Sequence, residues 1–251
     1  MNTKFYGGNL VQIHKLDSPG KKILCSGPYE YFIYEAQVNE QVIFDELRSF
    51  TLYLLEKPES ASVSVLDVEE SMMQGDRVQV EGVSAVVTIK DGPVKFLISG
   101  TKELHPDQRG LFYSCHANLY KVDKPWGHEL WINGQHPSYA LKEIYLKAGS
   151  KTSLQYHNLK QETNVLFVGR TNLHYKINNS VKNDDVTSCD LALVELAPIS
   201  SIDVAPRVLH RLEAISDILL YETSTPYLDD VVRVTDDSHR PDGRIEQEHS
   251  N

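Results

Sequence analysis

The chain has 251 residues, with 25 Lys+Arg against 35 Asp+Glu and a formal charge of −10, so long-range repulsion excludes a phosphate backbone as the default partner. Cys25, Cys115 and Cys189 are widely spaced and odd in number, which argues against a disulfide framework and suits a reducing cytosol. The stretch Met1 to Gly8 lacks the apolar run of a signal peptide, and no apolar stretch reaches membrane-spanning length, so a cytoplasmic protein with neither nucleic acid nor membrane as partner is expected.

In chain order, Tyr29–Val38 and Phe50–Leu55 are aromatic and β-branched runs between turn-prone residues. Ser62–Val68 alternates strictly, as a half-buried strand does. Gln74–Val80, Ala85–Ile89 and Val94–Ile98 follow, the last two joined by a turn at Asp91-Gly92. Only Val42–Arg48 offers a helical reading. Residues 99–124 are polar and turn-rich and read as a connection. Strand-like runs resume at Leu130–Ile132, Tyr139–Leu146, Leu173–Ile177, Leu191–Leu196 and Leu219–Tyr221, with a polar loop at Asn178–Asp190. From His239 the chain is charged and apolar-poor, and a frayed end is expected. Many short strands at near-regular spacing predict an all-β fold of sandwiches or barrels. The domains expected are a barrel without metal ligands at 1–100, a connection at 101–124, a metal-binding barrel at 125–240 and a tail at 241–251.

Gly149 to Gly169 carries the chemistry. Five residues separate Gly149 from Gln155, one separates Gln155 from His157, four separate His157 from Glu162, and six separate Glu162 from Gly169. Residues two apart on a strand share a face, so Gln155 and His157 project together. Glu162 is expected to return on the next antiparallel strand, Glu162–Val168, closing a hairpin. One amide, one imidazole and one carboxylate would then form most of a site for a divalent transition metal. By contrast, His105, His116, His128, His136 and His174 have no such company and read as ordinary core or surface residues.

That spacing resembles the first motif of the cupins, G-x5-H-x-H-x4-E-x6-G, with Gln155 in place of the first histidine. Ser153-Leu154-Gln155-x-His157, with Lys151 before it and Lys160-x-Glu162 after it, is similar to the type II mannose-6-phosphate isomerases. The isomerase domain of the bifunctional mannose-1-phosphate guanylyltransferases carries the same pattern. Pro125-Trp126-Gly127, Lys142, His210-Arg211-Leu212-Glu213, Glu222, Asp229 to Arg233, Asp236 and Arg240 continue the likeness, which spans residues 120 to 240. It implies a bicupin of two jelly-roll barrels with few helices.

The resemblance implies one divalent transition metal (Zn, or Mn, Fe, Co or Ni) on Gln155, His157, Glu162 and His210. It further implies an anionic sugar, phosphorylated or nucleotide-linked, contacted by Trp126, Lys142, Ser153 and Arg233 and isomerised or epimerised with Lys142 and Arg233 as catalytic groups. The six Lys against three Asp+Glu between residues 121 and 160 suit such a ligand. A cupin dioxygenase using the same metal remains an alternative. So does a non-catalytic carbohydrate-binding bicupin, since the first half has no His-x-His or Gln-x-His pair and Ser238-His239 stands where the family has Tyr-Gly. A homodimer is left open.

Overall fold

The computed structural model describes residues 4–5, 11–15, 21–44, 47–57, 63–65, 72–83, 86–89, 92–103, 109–177 and 191–249. Period-two alternation decides the architecture. In the strand Ser49–Glu56, Phe50, Leu52 and Leu54 take one face while Ser49, Thr51 and Tyr53 take the other. Cross-strand register extends the apolar row: Leu52 lies opposite Val78 of Arg77–Glu81 and Ile98 of Val94–Thr101, and Ile98 opposite Phe32 of Glu30–Ala36. These strands form a six-stranded antiparallel sheet edged by Gly110–Ser114 and Lys21–Ser26. A three-stranded sheet of Gln41–Ile43, Val86–Ile89 and Val63–Val65 accompanies it, and Phe44, Val87 and Ile89 join the core that the apolar row builds. This first barrel comprises Asp17–Tyr120 with Pro137–Tyr139.

The second barrel comprises Met1–Leu16, Lys121–His136 and Ala140–Asn251. Its eight-stranded sheet runs in the order Lys4–Phe5, Val11–Lys15, Ser200–Val204, Glu162–Val168, Ile218–Ser224, Ala140–Leu146, Gly127–Asn133, Tyr120–Lys124. Its five-stranded sheet runs Ala192–Leu196, Thr171–Ile177, Val208–Ala214, Leu154–Tyr156, Val232–Thr235. The core of this barrel takes Ile144, Leu166 and Leu220 from the larger sheet and Leu173, Val208 and Leu212 from the smaller. The fold is thus all-β, two jelly-roll barrels with no α-helix among the described residues and only the 3-10 turns His116–Asn118 and Glu246–His249. No helix among them is long and apolar enough to cross a membrane.

Several expectations are corrected. Gln41–Ile43 is a strand and not the start of a helix, because Val42 is buried opposite Val87, where a β-branched side chain packs well. The polar 99–124 segment carries strands: Val94–Thr101 runs into it, Gly110–Ser114 pairs with Arg77–Glu81, and Tyr120–Lys124 edges the larger sheet. The N-terminal strand Val11–Lys15 pairs with Ser200–Val204 in the second barrel. The chain beyond His239 is held by specific bonds: Arg240 pairs with Asp236 at 2.7 Å, and Glu248 pairs with Lys124 at 2.8 Å. The loop expected at Asn178–Asp190 and most of the Ser62–Val68 run lie outside the described residues.

Candidate metal centre

Gln155 and Glu162 are not hydrogen-bonded partners in one hairpin. Leu154–Tyr156 lies in the five-stranded sheet and Glu162–Val168 in the eight-stranded one, so the intervening residues bridge the two layers. The glycines flanking the motif permit its turns: Gly149 has φ 75° and Gly169 φ 85°. A Cβ at Gly169 would also stand 2.1 Å from the Asp217 carbonyl oxygen.

On the smaller sheet, Gln155 is the register partner of both His210 and Arg233, so the three lie in one row. Their neighbours Leu154, Tyr156, Leu209 and Val232 pack together in a separate apolar cluster, as alternation requires. On the larger sheet, Trp131, Lys142, Glu222 and Asn164 are successive register partners across four strands. Both rows line one cavity, together with His157, Glu162 and Trp126.

Among the described residues, His157, Glu162 and His210 are the one group of three or more His, Cys, Asp or Glu placed to hold an ion, their ligand atoms lying within 4.8 Å of one another. His157 Nε2 is 3.3 Å from Glu162 Oε2, and His210 Nε2 is 3.1 Å from Glu162 Oε1. Each imidazole is oriented from behind. His157 Nδ1 contacts the Asp230 carbonyl, and His210 Nδ1 lies 3.0 Å from the Val208 carbonyl. A carbonyl only accepts, so each Nδ1 carries the hydrogen and each Nε2 presents a lone pair. Distance alone would admit bonds from Nε2 to Glu162, but the geometry does not, and both buried Nε2 atoms lack a hydrogen-bond partner. Lone pairs turned toward a carboxylate repel it unless a cation stands between. Ligands about 2.1 Å from one ion are about 3.0–3.4 Å apart in octahedral or tetrahedral arrangement, and each imidazole stands at such a distance from its own oxygen of Glu162. The residues fit a divalent transition metal.

The surrounding charges reinforce this. Burial alone would push the Glu162 carboxyl up, but the adjacent Lys160 ammonium and then His210 hold it well below the usual carboxylate range. Burial disfavours the charged form of His210, yet Glu162 raises its pKa: without a cation, a proton fills that role. Lys160, 4% exposed, donates to Glu162 Oε2 at 2.7 Å and to Glu222 Oε1 at 2.8 Å. Its pKa lies above the ordinary lysine value, because those two carboxylates outweigh the burial that would lower it. Glu129 follows the same pattern: burial pushes up, Lys142 and Lys124 pull down, and the carboxyl settles at about 2.

Lys142 Nζ stands 3.4 Å from Glu129, 4.0 Å from Glu222 and 4.6 Å over the Trp131 ring. Ser153 donates to Gln155 Oε1 at 2.6 Å, fixing the amide while leaving its oxygen a second lone pair. Trp126 lines the cavity and is also a member of the barrel core. Arg233 Nη1 is engaged with the Pro241 and Gly243 carbonyls, and its Nε lies 3.8 Å from Asp236. Asp230 does not pair with Arg233: its carboxylate accepts the backbone N–H groups of Asn158, Leu159 and Lys160, fixing the segment that follows His157. Sequence reasoning had no role for Lys160, Glu129 or Glu248. For Lys160, a lysine two residues before a ligand carboxylate was the available signal.

No family model matches the chain, and no curated protein matches it in sequence. Solved structures do match in fold. An IolB-like protein from Salmonella typhimurium LT2 superposes with TM-score 0.64 at 12% identity, over 97% of this chain and 98% of that one. The oxalate decarboxylase of Bacillus subtilis, with Mn(II) centres, gives 0.64 at 9% identity over 92% and 77%. Protein Ylba from E. coli gives 0.63 at 10% over 90% and 93%. The architecture is that of the bicupins.

Proposed function

We propose that this chain is a metal-dependent cupin enzyme that isomerises or epimerises an anionic sugar, phosphorylated or nucleotide-linked. The observation that carries the reading is the pair of buried, partnerless Nε2 atoms turned toward Glu162 beside the acid/base pair Lys142 and Glu222. Gln155, His157, Glu162 and His210 would hold the ion. Once bound, it supplies Lewis acidity toward a sugar carbonyl and the negative charge that develops next to it. Support for a transition metal also comes from the likeness in fold to a decarboxylase with Mn(II) centres.

Aldose–ketose interconversion moves a proton between neighbouring carbons, and the chain's own residues supply that traffic. Lys142 and Glu222, 4.0 Å apart on adjacent strands, form the pair we assign to proton transfer. Lys160 holds Glu222 in place, and Trp126 gives the sugar an apolar wall. The test is metal analysis of the protein as purified, followed by NMR of mannose 6-phosphate and related sugar phosphates in D2O. The reading expects stoichiometric metal and deuterium entering at C1 or C2. Metal-loaded protein that exchanges no sugar proton and instead consumes oxygen would replace this reading with the dioxygenase one.

A further inference from the structure

In the lining of the same cavity, two cations converge on one carboxylate from the chain's own C-terminal segment. Lys124 Nζ is 2.8 Å from Glu248 Oε2, and Arg240 Nη1 is 3.4 Å from Glu248 Oε1. The side chains of Lys124 and Arg240 are only 8% and 10% exposed, so these are charges withdrawn from water and not surface pairs. All three residues line the cavity that contains His157, Glu162 and His210. An ammonium and a guanidinium gripping both oxygens of one anion is the arrangement proteins use for a phosphate or carboxylate ligand.

Glu248 sits on a weak support. Its turn, Glu246–His249, is a 3-10 turn with no buried residue. His249 reaches Trp131 edge-on, with ring centroids 5.4 Å apart, and Trp131 in turn contacts Lys142 and Glu129. The strap is anchored further back, by Arg233 on the Pro241 and Gly243 carbonyls. Displacing Glu248 therefore removes one of two carboxylates from each cation, leaving Arg240 on Asp236 at 2.7 Å and Lys124 3.7 Å from Glu129, without disturbing the barrel sheets.

We propose that Lys124 and Arg240 form the subsite for the anionic group of the substrate, and that Glu248 occupies it as a displaceable stand-in. Substrate entry then exchanges one anion for another, with the strap 244–249 swinging away and closing again after release. From the proposed function this takes only that the cavity admits the substrate; it does not depend on the reaction being an isomerisation.

The experiment titrates inorganic phosphate into full-length protein as purified, reading heat and tryptophan fluorescence, the latter because His249 leaves Trp131 when the strap moves. Glu248→Gln should bind phosphate roughly tenfold more tightly than wild type, having no carboxylate to displace. Adding Lys124→Ala to that variant should abolish the gain. Glu248→Gln should also melt below wild type and recover with phosphate, which replaces the missing anion. Equal affinity in wild type and Glu248→Gln overturns the proposal, as does a lowered melting point that phosphate does not restore. Binding that responds to His157→Ala and not to Lys124→Ala places phosphate at the metal and likewise overturns it. Because the readout is binding, an inactive protein that passes leaves this inference standing while the isomerase reading falls.

Discussion

In the first barrel the inward row Val78, Leu52, Ile98 and Phe32 crosses four adjacent strands without a polar atom in a side chain. In the second, the row Trp131, Lys142, Glu222 and Asn164 crosses four adjacent strands and carries a polar atom in every side chain, while Ile144, Leu166 and Leu220 on the same strands remain apolar. Both are antiparallel two-sheet barrels built on the same alternation. One fills its interior; the other fills part of it and lines the rest with ionisable groups that must satisfy one another, since a buried charge left alone costs several kcal/mol. The sheets tolerate this because the hydrogen-bonded ladder is indifferent to which side chains point inward. Stability is thus supplied by the apolar rows, and chemistry by the polar one.

Exchanging loss of ligand for loss of core tests that division most directly. His157→Ala should strip the metal and abolish turnover, because a methyl offers no lone pair; metal analysis and the D2O assay check it, and stoichiometric metal in that variant would remove His157 from the site. Its counterpart in the first barrel, Phe96→Ala, should lose about 3–5 kcal/mol of stability by urea titration while metal content stays unchanged. Metal loss in that variant would mean that the two interiors do not have separate jobs.

Lys160→Met sharpens the comparison, since an apolar residue that the first barrel would welcome should fail here. It leaves Glu162 and Glu222 buried without their cation, at a cost of about 3 kcal/mol. Metal affinity should fall by about 10–100-fold through the loosened ligand. Lys160→Arg, which keeps the charge, should recover most of both.

The smallest effect is in acid. The Glu129 carboxyl sits at about 2 in the folded chain, below its ordinary value of 4.5. The stability it contributes is therefore present above pH 4.5 and is lost as the pH falls toward 2. Between pH 4.5 and 3.5 the loss should be about 1 kcal/mol. Glu129→Gln should flatten that limb of the pH–stability curve; an unchanged slope would assign acid sensitivity to other carboxylates.

Alternation and spacing determined much of this protein unaided. The strands Ser49–Glu56, Val94–Thr101 and Ala140–Leu146 were legible as the runs Phe50–Leu55, Val94–Ile98 and Tyr139–Leu146, and the offset of His157 from Glu162 marked two members of the cluster that His210 completes. Those signals are local, carried by residues within one or two turns of chain, and so they survive in the sequence. The tertiary structure decided the rest. It set the motif's two arms in opposite sheets, put the Asp230 carbonyl behind His157, 73 residues away, and brought Lys160 to Glu222 across 62. It also folded Glu248 back onto Lys124 across 124 residues, where a charged, apolar-poor tail had looked free. Such pairings depend on which sheet faces which and at what register, and that is settled by packing the apolar rows, not by any residue's neighbours in the chain.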